Sequence, residues 1–393
     1  MGHQLRRDEY TVATTWVVED KPILLSGPAE TLAEACGWQL GRPKFLWELE
    51  AGTPLEETER RLLGRGAVGE VHEVKAPGSH KTMARKRIYL PRIQKQAVRD
   101  RARIKTEVEI LRSLDHAHIV KILGCFEEAT GRSTFAFCAL MYPAADEDLA
   151  HFLYENCQDI SEEQKVWIWS WYACLASALA YMHSQGIHHE DIKPKNIVHY
   201  GSRIYFTDFS SSRRLEAGQD TSTESPAMAS WLFAAPEAMS ENGMMLRHGS
   251  KTDVFSLGLV FMEMLAVSMG VDMEEMRDSL FGESRQNMRY YRVVNEVATF
   301  LTNSVSPRFV PALWEQCLKD MLEPDRHARP SAEDVLGILI SSPLFGSDNL
   351  CPCCEPKKQH IMVVKVSSSG PANSWRHPLI SPGWYQRLRS HWP

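Results

Sequence analysis

The sequence predicts an α+β chain in two unequal parts, a strand-rich segment with one long helix followed by a larger, mainly helical one. Three observations predict it. "ERRLLGRGAVGEVHEVK" reads as strand, glycine-rich turn, strand, and "KTMARKRIYL" reads as a third strand. Just beyond, Ile104, Val108 and Leu111 recur at helical spacing. After residue 146, two long apolar runs, 166–182 and 256–271, are slightly short for a membrane span and read as buried core helices.

The elements follow in order. Residues 1–56 form an N-terminal extension with weak strand alternation ("TVATTWVVED") and turn signals but no chemistry. Residues 57–345 form the domain, its strand-rich part at about 57–143 and its helical part at about 146–345. Ser161 opens a capping box with Gln164, so a helix runs from there to about Ser184, ahead of Gly186. Residues 346–393 turn to Ser, Pro and Gly and read as a poorly ordered tail.

Composition sets the class. The chain has 393 residues, 44% hydrophobic and 24% charged, with a net charge of −6. That suits one large two-part domain with extensions and gives no sign of nucleic-acid binding. Nine cysteines at irregular spacing and an opening "MGHQLRRDEY" without an apolar leader suggest an intracellular chain, cytoplasmic or nuclear, with reduced thiols. Arg6 stands where myristoylation would favour Ser or Thr.

Five groups of residues suggest phosphate chemistry. Gly64, Gly66 and Gly69, followed by Val71, would let a turn bring backbone N–H groups close to phosphates; an ordinary glycine hairpin is the bland alternative. No Gly-Lys-Ser/Thr follows and the loop leads into a strand, which excludes a P-loop or a dinucleotide fingerprint. Lys86 lies on the next strand, sharing a face with the small Ala84, with Arg85 and Arg87 opposite; three surface cations on an edge strand would look the same. Glu107 would hold Lys86, whereas Glu109 lies about 200° around the helix. In "IHHEDIKPKNIV", Asp191 would orient an attacking hydroxyl, Lys193 would neutralise phosphoryl charge, and Asn196 would offer an amide oxygen to a metal. Asp208, at a strand end in "IYFTDFS", would hold Mg2+, a hard cation that prefers such oxygens.

These residues, in this order, resemble the eukaryotic-type protein kinase superfamily. "FAAPEAM" with Glu237, "KTDVFSLG" with Asp253, and "DRHARPSAEDVL" with Arg329 extend the resemblance over roughly residues 57–345. It implies a bilobal protein kinase fold, with a small antiparallel-sheet N-lobe bearing one key helix and a larger helical C-lobe. It implies ATP and Mg2+ as cofactors and a protein substrate with a Ser or Thr acceptor. By resemblance, the three glycines cover the phosphates, and Lys86 binds them and pairs with Glu107. Asp191 is the catalytic base, Lys193 serves the γ-phosphate, and Asn196 and Asp208 hold Mg2+. Val71, Ala84 and Val198 sandwich adenine, "MYPA" (141–144) is the hinge, and Asp148 meets the ribose. Glu237 takes Arg329 as its partner, and Asp253 is the family's buried aspartate. Lys193 and Ser230 match the Ser/Thr class, while Lys195 stands where kinases preferring basic substrates carry an acid.

Two positions depart from the family pattern. Glu190 replaces the arginine that binds an activation-loop phosphate; a glutamate there would repel one. It is expected to pair with an arginine of the helix or loop, Arg103 or Arg213, and so order the loop without phosphorylation. Ser210 replaces the glycine of Asp-Phe-Gly, which leaves the acid in place. The alternative function is a kinase-like scaffold without catalysis, which the intact acids and lysines disfavour.

The remaining features read as structure. Cys351, Cys353 and Cys354 with nearby His360 lack the paired spacing of structural zinc and read as tail thiols. The basic run 92–105 reads as a solvated helix face, and "WIWSWY" as helix packing. His188 and His189 point opposite ways on an extended segment, so they are no metal pair; His189 would fix its loop through the backbone.

Overall fold

Val71, Val74 and Ile88 alternate with charged residues in the first strands, which pair as the sequence suggests. The computed structural model describes residues 61–66, 69–75, 82–131, 134–155, 160–214, 228–239, 249–282, 288–304, 310–342 and 351. The expected extension, the tail apart from Cys351, and the residues 215–227 with Thr221, Ser222, Thr223 and Ser225, hydroxyls of the loop after Asp208 that could accept a phosphate, lie outside these residues. Strands β1 (Leu62–Arg65), β2 (Gly69–Lys75), β3 (Thr82–Tyr89), β4 (Lys121–Gly131) and β5 (Thr134–Tyr142) form one antiparallel sheet in the order β1-β2-β3-β5-β4. β3 is therefore the central strand. That corrects the edge-strand alternative for its three cations: Arg85 is only 5% exposed.

Helix α1 (Gln94–Ser113) connects β3 to β4 and buries Ile104, Val108 and Leu111, the positions whose spacing predicts it. β5 ends at Tyr142, and a cis peptide joins Tyr142 to Pro143 where the chain leaves the sheet. β6 (Glu147–Asp148) and α2 (Leu149–Glu155) begin the second part. α3 (Glu162–Ser184) has the capping box in place: Ser161 Oγ accepts from Gln164 N, and Gln164 Oε1 accepts from Ser161 N. Such a cap satisfies two otherwise orphaned donors and contributes about 1 kcal/mol.

Short strands β7 (Ile187–His188), β8 (Ile197–Tyr200), β9 (Arg203–Phe206) and β10 (Arg213–Arg214) follow; β6, β8 and β9 share one sheet, and β7 pairs with β10. α4 (Ser250–Ser268) is buried from Thr252 to Ser268. Each such Leu, Phe or Met removed from water contributes roughly 1.5–3 kcal/mol, so α4 anchors the helical part. Its apolar run hides one acid. Glu263 is fully buried and accepts from Arg277 Nη2 at 2.6 Å, Tyr290 Oη at 2.6 Å and Tyr154 Oη at 2.5 Å. A buried carboxylate needs such partners, because losing one leaves the charge uncompensated.

α5 (Met273–Phe281), α6 (Val294–Ser304) and α7 (Val310–Leu313) lead into a π-turn at Trp314–Leu318 and α8 (Lys319–Met321). α9 (Ala332–Ser341) packs back against α3 and opens with a second capping box at Ser331. Among the described residues, no helix is long and apolar enough to cross a membrane.

Candidate active site

The register of β3 places Lys86 opposite Val71 on β2 and Ala139 on β5. Its ammonium donates to Glu107 Oε1 of α1 at 2.7 Å and to Asp208 Oδ1 at 3.0 Å. The sequence predicts the first contact; the second joins β3 to the residue two places beyond β9. Burial alone would pull Lys86 down, but the carboxylates of Glu107 and Asp208 outweigh it and hold the ammonium above its ordinary value. The reciprocal charge of Lys86 holds Asp208 well below the usual carboxylate range, against its burial. Glu109 pairs instead with Lys105 on the exposed side of α1.

The loop between β7 and β8 gathers Asp191, Lys193 and Asn196. Lys193 Nζ donates to Asp191 Oδ2 at 2.7 Å. Asn196 Nδ2 donates to the same oxygen and to the Asp191 carbonyl, both at 2.8 Å. Both side-chain bonds fall on Oδ2, so among the described residues none falls on Asp191 Oδ1. The Asn196 amide nitrogen is fully committed, which leaves its Oδ1 as the acceptor.

Asp253 fixes this loop from beneath. Its buried carboxylate accepts from His189 N and Glu190 N, each at 2.9 Å, and faces His183 Nε2 at 2.9 Å. His183, on the last turn of α3, was missed in the sequence; a histidine in a helix carries no signal of such a partner. His189 is fully buried, with Nε2 3.2 Å from the Thr207 carbonyl and its ring 4.9 Å from Phe209. Phe209 is itself fully buried behind Asp208.

Glu190 and Asp208 both adopt positive φ, 62° and 57°, in the left-handed region that non-glycine residues avoid. The Asp253 bond to Glu190 N holds the first in place. The Glu190 side chain is 6% exposed and lies 3.4 Å from Arg213 Nε. Pairing of β10 with β7, Arg213 opposite His188, carries that arginine there. Burial pushes the Glu190 carboxyl up to about 7, with Arg213 pulling it down and Asp253 pushing it further up.

The glycines divide by environment. A Cβ on Gly69 would lie 2.0 Å from the Arg87 carbonyl oxygen, so the close β2–β3 approach itself demands glycine. Gly64 faces open space and Gly66 meets only the Gly69 carbonyl oxygen at 3.9 Å. Ala84 is buried opposite Met141; Val71 and Val198 are partly buried, Val198 paired with Asp148. The Asp148 carboxylate caps α2, its Oδ1 accepting from His151 N at 2.9 Å.

Farther down, Arg329 is 1% exposed and grips Glu237 with two bonds, 2.7 and 3.2 Å, while Thr252 Oγ1 adds a third at 3.1 Å. Glu237 lies on a short turn, Pro236–Ala238. Ser230 lies on the turn Met228–Phe233, its side chain outside the described residues.

A five-stranded antiparallel lobe hinged to a helical lobe, with a lysine and acids converging between them, defines a bilobal α+β class of protein. The chain belongs to the protein kinase family: the protein kinase domain model matches residues 58–338. It is 27% identical to CBL-interacting protein kinase 28 of Oryza sativa subsp. japonica over 69% of this chain and 55% of that protein. It is 24% identical to mitogen-activated protein kinase kinase kinase 3 of Homo sapiens over 72% of this chain and 41% of that protein. A calcium/calmodulin-dependent protein kinase of Metarhizium anisopliae is 25% identical over 56% of this chain and 53% of its own. The chain thus spans about half the length of these curated relatives.

Proposed function

We propose that this protein is a serine/threonine kinase that transfers the γ-phosphoryl group of ATP to protein hydroxyls. The observation that carries the proposal is Lys86 bonded at once to Glu107 and Asp208, which joins both lobes through one ammonium. In this reading Gly64 and Gly66 stay bare for the phosphates, since nothing in the fold itself excludes a side chain there. Lys86, oriented by Glu107, meets the α- and β-phosphates. Val71, Ala84 and Val198 enclose the adenine, and the chain at 141–144 offers backbone groups to its edge. Asp148 meets the ribose through the oxygen that the α2 cap leaves over.

Asp191 acts as the base. Lys193 and Asn196 turn its Oδ2 inward, so Oδ1 accepts the proton of the attacking Ser or Thr hydroxyl. Positioned base catalysis of this kind contributes roughly 10²–10⁴-fold in rate. Lys193, beside that oxygen, balances charge that develops on the transferred phosphoryl. Asn196 and Asp208 fit Mg2+: one offers an amide oxygen, the other a carboxylate held ionised by Lys86. Bound there, the ion would neutralise phosphate charge, the chemistry the family requires.

Lys193 and Ser230 support the Ser/Thr class, and one relative, from Arabidopsis thaliana, is named a serine/threonine-protein kinase. Glu190 paired with Arg213 supports a loop ordered by an internal ion pair rather than by a phosphate. The thiols of Cys125 and Cys317, buried and outside any disulfide, support an intracellular location. The non-catalytic scaffold reading is disfavoured, because no catalytic position is vacated. The test is incubation with γ-labelled Mg-ATP and peptides bearing Ser, Thr and Tyr acceptors. Label on Ser and Thr is expected; label on Tyr alone overturns the assignment.

A further inference from the structure

We propose a second metal site, of a chemistry different from the phosphate site, formed by His118, Cys174 and Cys351 and suited to zinc. The three ligand atoms all lie within 4.8 Å of one another. His118 Nε2 is 3.1 Å from Cys351 Sγ. The residues converge from three places: the turn between α1 and β4, the middle of α3, and the chain beyond α9. His118 is fully buried, Cys174 is 1% exposed, and Cys351 is partly buried.

The histidine is set up as a ligand. Its Nδ1 lies 2.8 Å from the Ile204 carbonyl oxygen. A carbonyl only accepts, so Nδ1 carries the proton and Nε2 turns its lone pair toward Cys351 Sγ. A backbone carbonyl behind a ligating imidazole is the usual outer support of a metal-binding histidine. One imidazole and two sulfurs form a soft donor set that favours Zn2+ over Mg2+, which separates this site from Asn196 and Asp208. Binding releases one proton from each thiol and moves no electrons. The resulting two thiolates, neutral imidazole and divalent ion carry no net charge, as a buried site requires. A fourth position remains for water.

The site would act as a clamp. Cys351 lies beyond the span matched by the kinase domain model, 58–338. His118 accepts from Phe206 N at 2.9 Å through its carbonyl, and Phe206 ends the strand that leads to Asp208. α1, which carries Glu107, ends just before His118. The metal would thus fasten the C-terminal chain against the junction of the two elements that bear the partners of Lys86.

The test uses the full chain, purified under reducing conditions without chelator. Elemental analysis is expected to give about one zinc per chain. Exchange into Co2+ is expected to give the thiolate-to-cobalt absorption band. Cys351→Ser, at a partly buried position, and His118→Ala are expected to lose the metal and the band, while Cys125→Ser, a buried cysteine elsewhere, keeps both. A chain that shows no thiolate–cobalt band on titration with Co2+ overturns the proposal. So does a band that survives Cys351→Ser, or a Cys174–Cys351 disulfide in the protein as purified.

Discussion

Glu190 is pulled in two directions. Desolvation raises its carboxyl to about 7, and Arg213 at 3.4 Å opposes this without prevailing. In the unfolded chain the group titrates near 4.5. Between these values the folded protein holds a proton that the unfolded chain has lost. Its contribution to stability is therefore complete below pH 4.5 and is lost as the pH rises through 7. Glu190→Gln keeps the shape and removes the titration. Relative to that variant, the wild type is expected to lose up to about 3 kcal/mol between pH 4.5 and 7, read by urea unfolding at a series of pH values. Parallel profiles for the two proteins would contradict this account. At this scale the sequence exposed the substitution but left its partner open between Arg103 and Arg213. Only the pairing of β10 with β7, a non-local event, brings Arg213 to it. Asp148 was legible as an acid near the hinge, but its duty as the α2 cap was not.

At the scale of elements, local signals were reliable and pairing order was not. The capping box marked the start of α3, and Gly186 marked its end. The spacing of Ile104, Val108 and Leu111 gave the buried face of α1. Nothing local distinguished a central β3 from an edge strand, because strand order is decided by distant segments. The apolar run of α4 concealed Glu263, whose partners Arg277, Tyr290 and Tyr154 lie on other elements. The glycine loop separates two roles that the sequence merges. Gly69→Ala forces a Cβ against the Arg87 carbonyl and should cost about 1–3 kcal/mol, measured by thermal or urea unfolding. Gly64→Ala meets open space, so stability should change by no more than about 0.5 kcal/mol while the KM for ATP rises. Equal destabilisation by both would mean that the two glycines serve the fold alone.

Across the whole molecule, two lobes were legible because the sequence switches from strand to helix periodicity near residue 146. Lys86, Glu107, Asp191, Lys193, Asn196 and Asp208 stood out because each sits in a short stretch of distinctive composition. The convergence of His118, Cys174 and Cys351 was invisible for the opposite reason: no two of them share a segment, and the cysteine-rich stretch drew attention to neighbours in sequence rather than in space. The central claim is that the fold brings these acids and lysines together to transfer phosphate. Its most direct test is incorporation of labelled phosphate from γ-labelled Mg-ATP by the wild type and by Asp191→Asn, a variant of nearly equal shape. The account predicts incorporation by the wild type and a fall of at least about 10²-fold in the variant; equal incorporation by the two proteins, or none by a folded wild type, would contradict it.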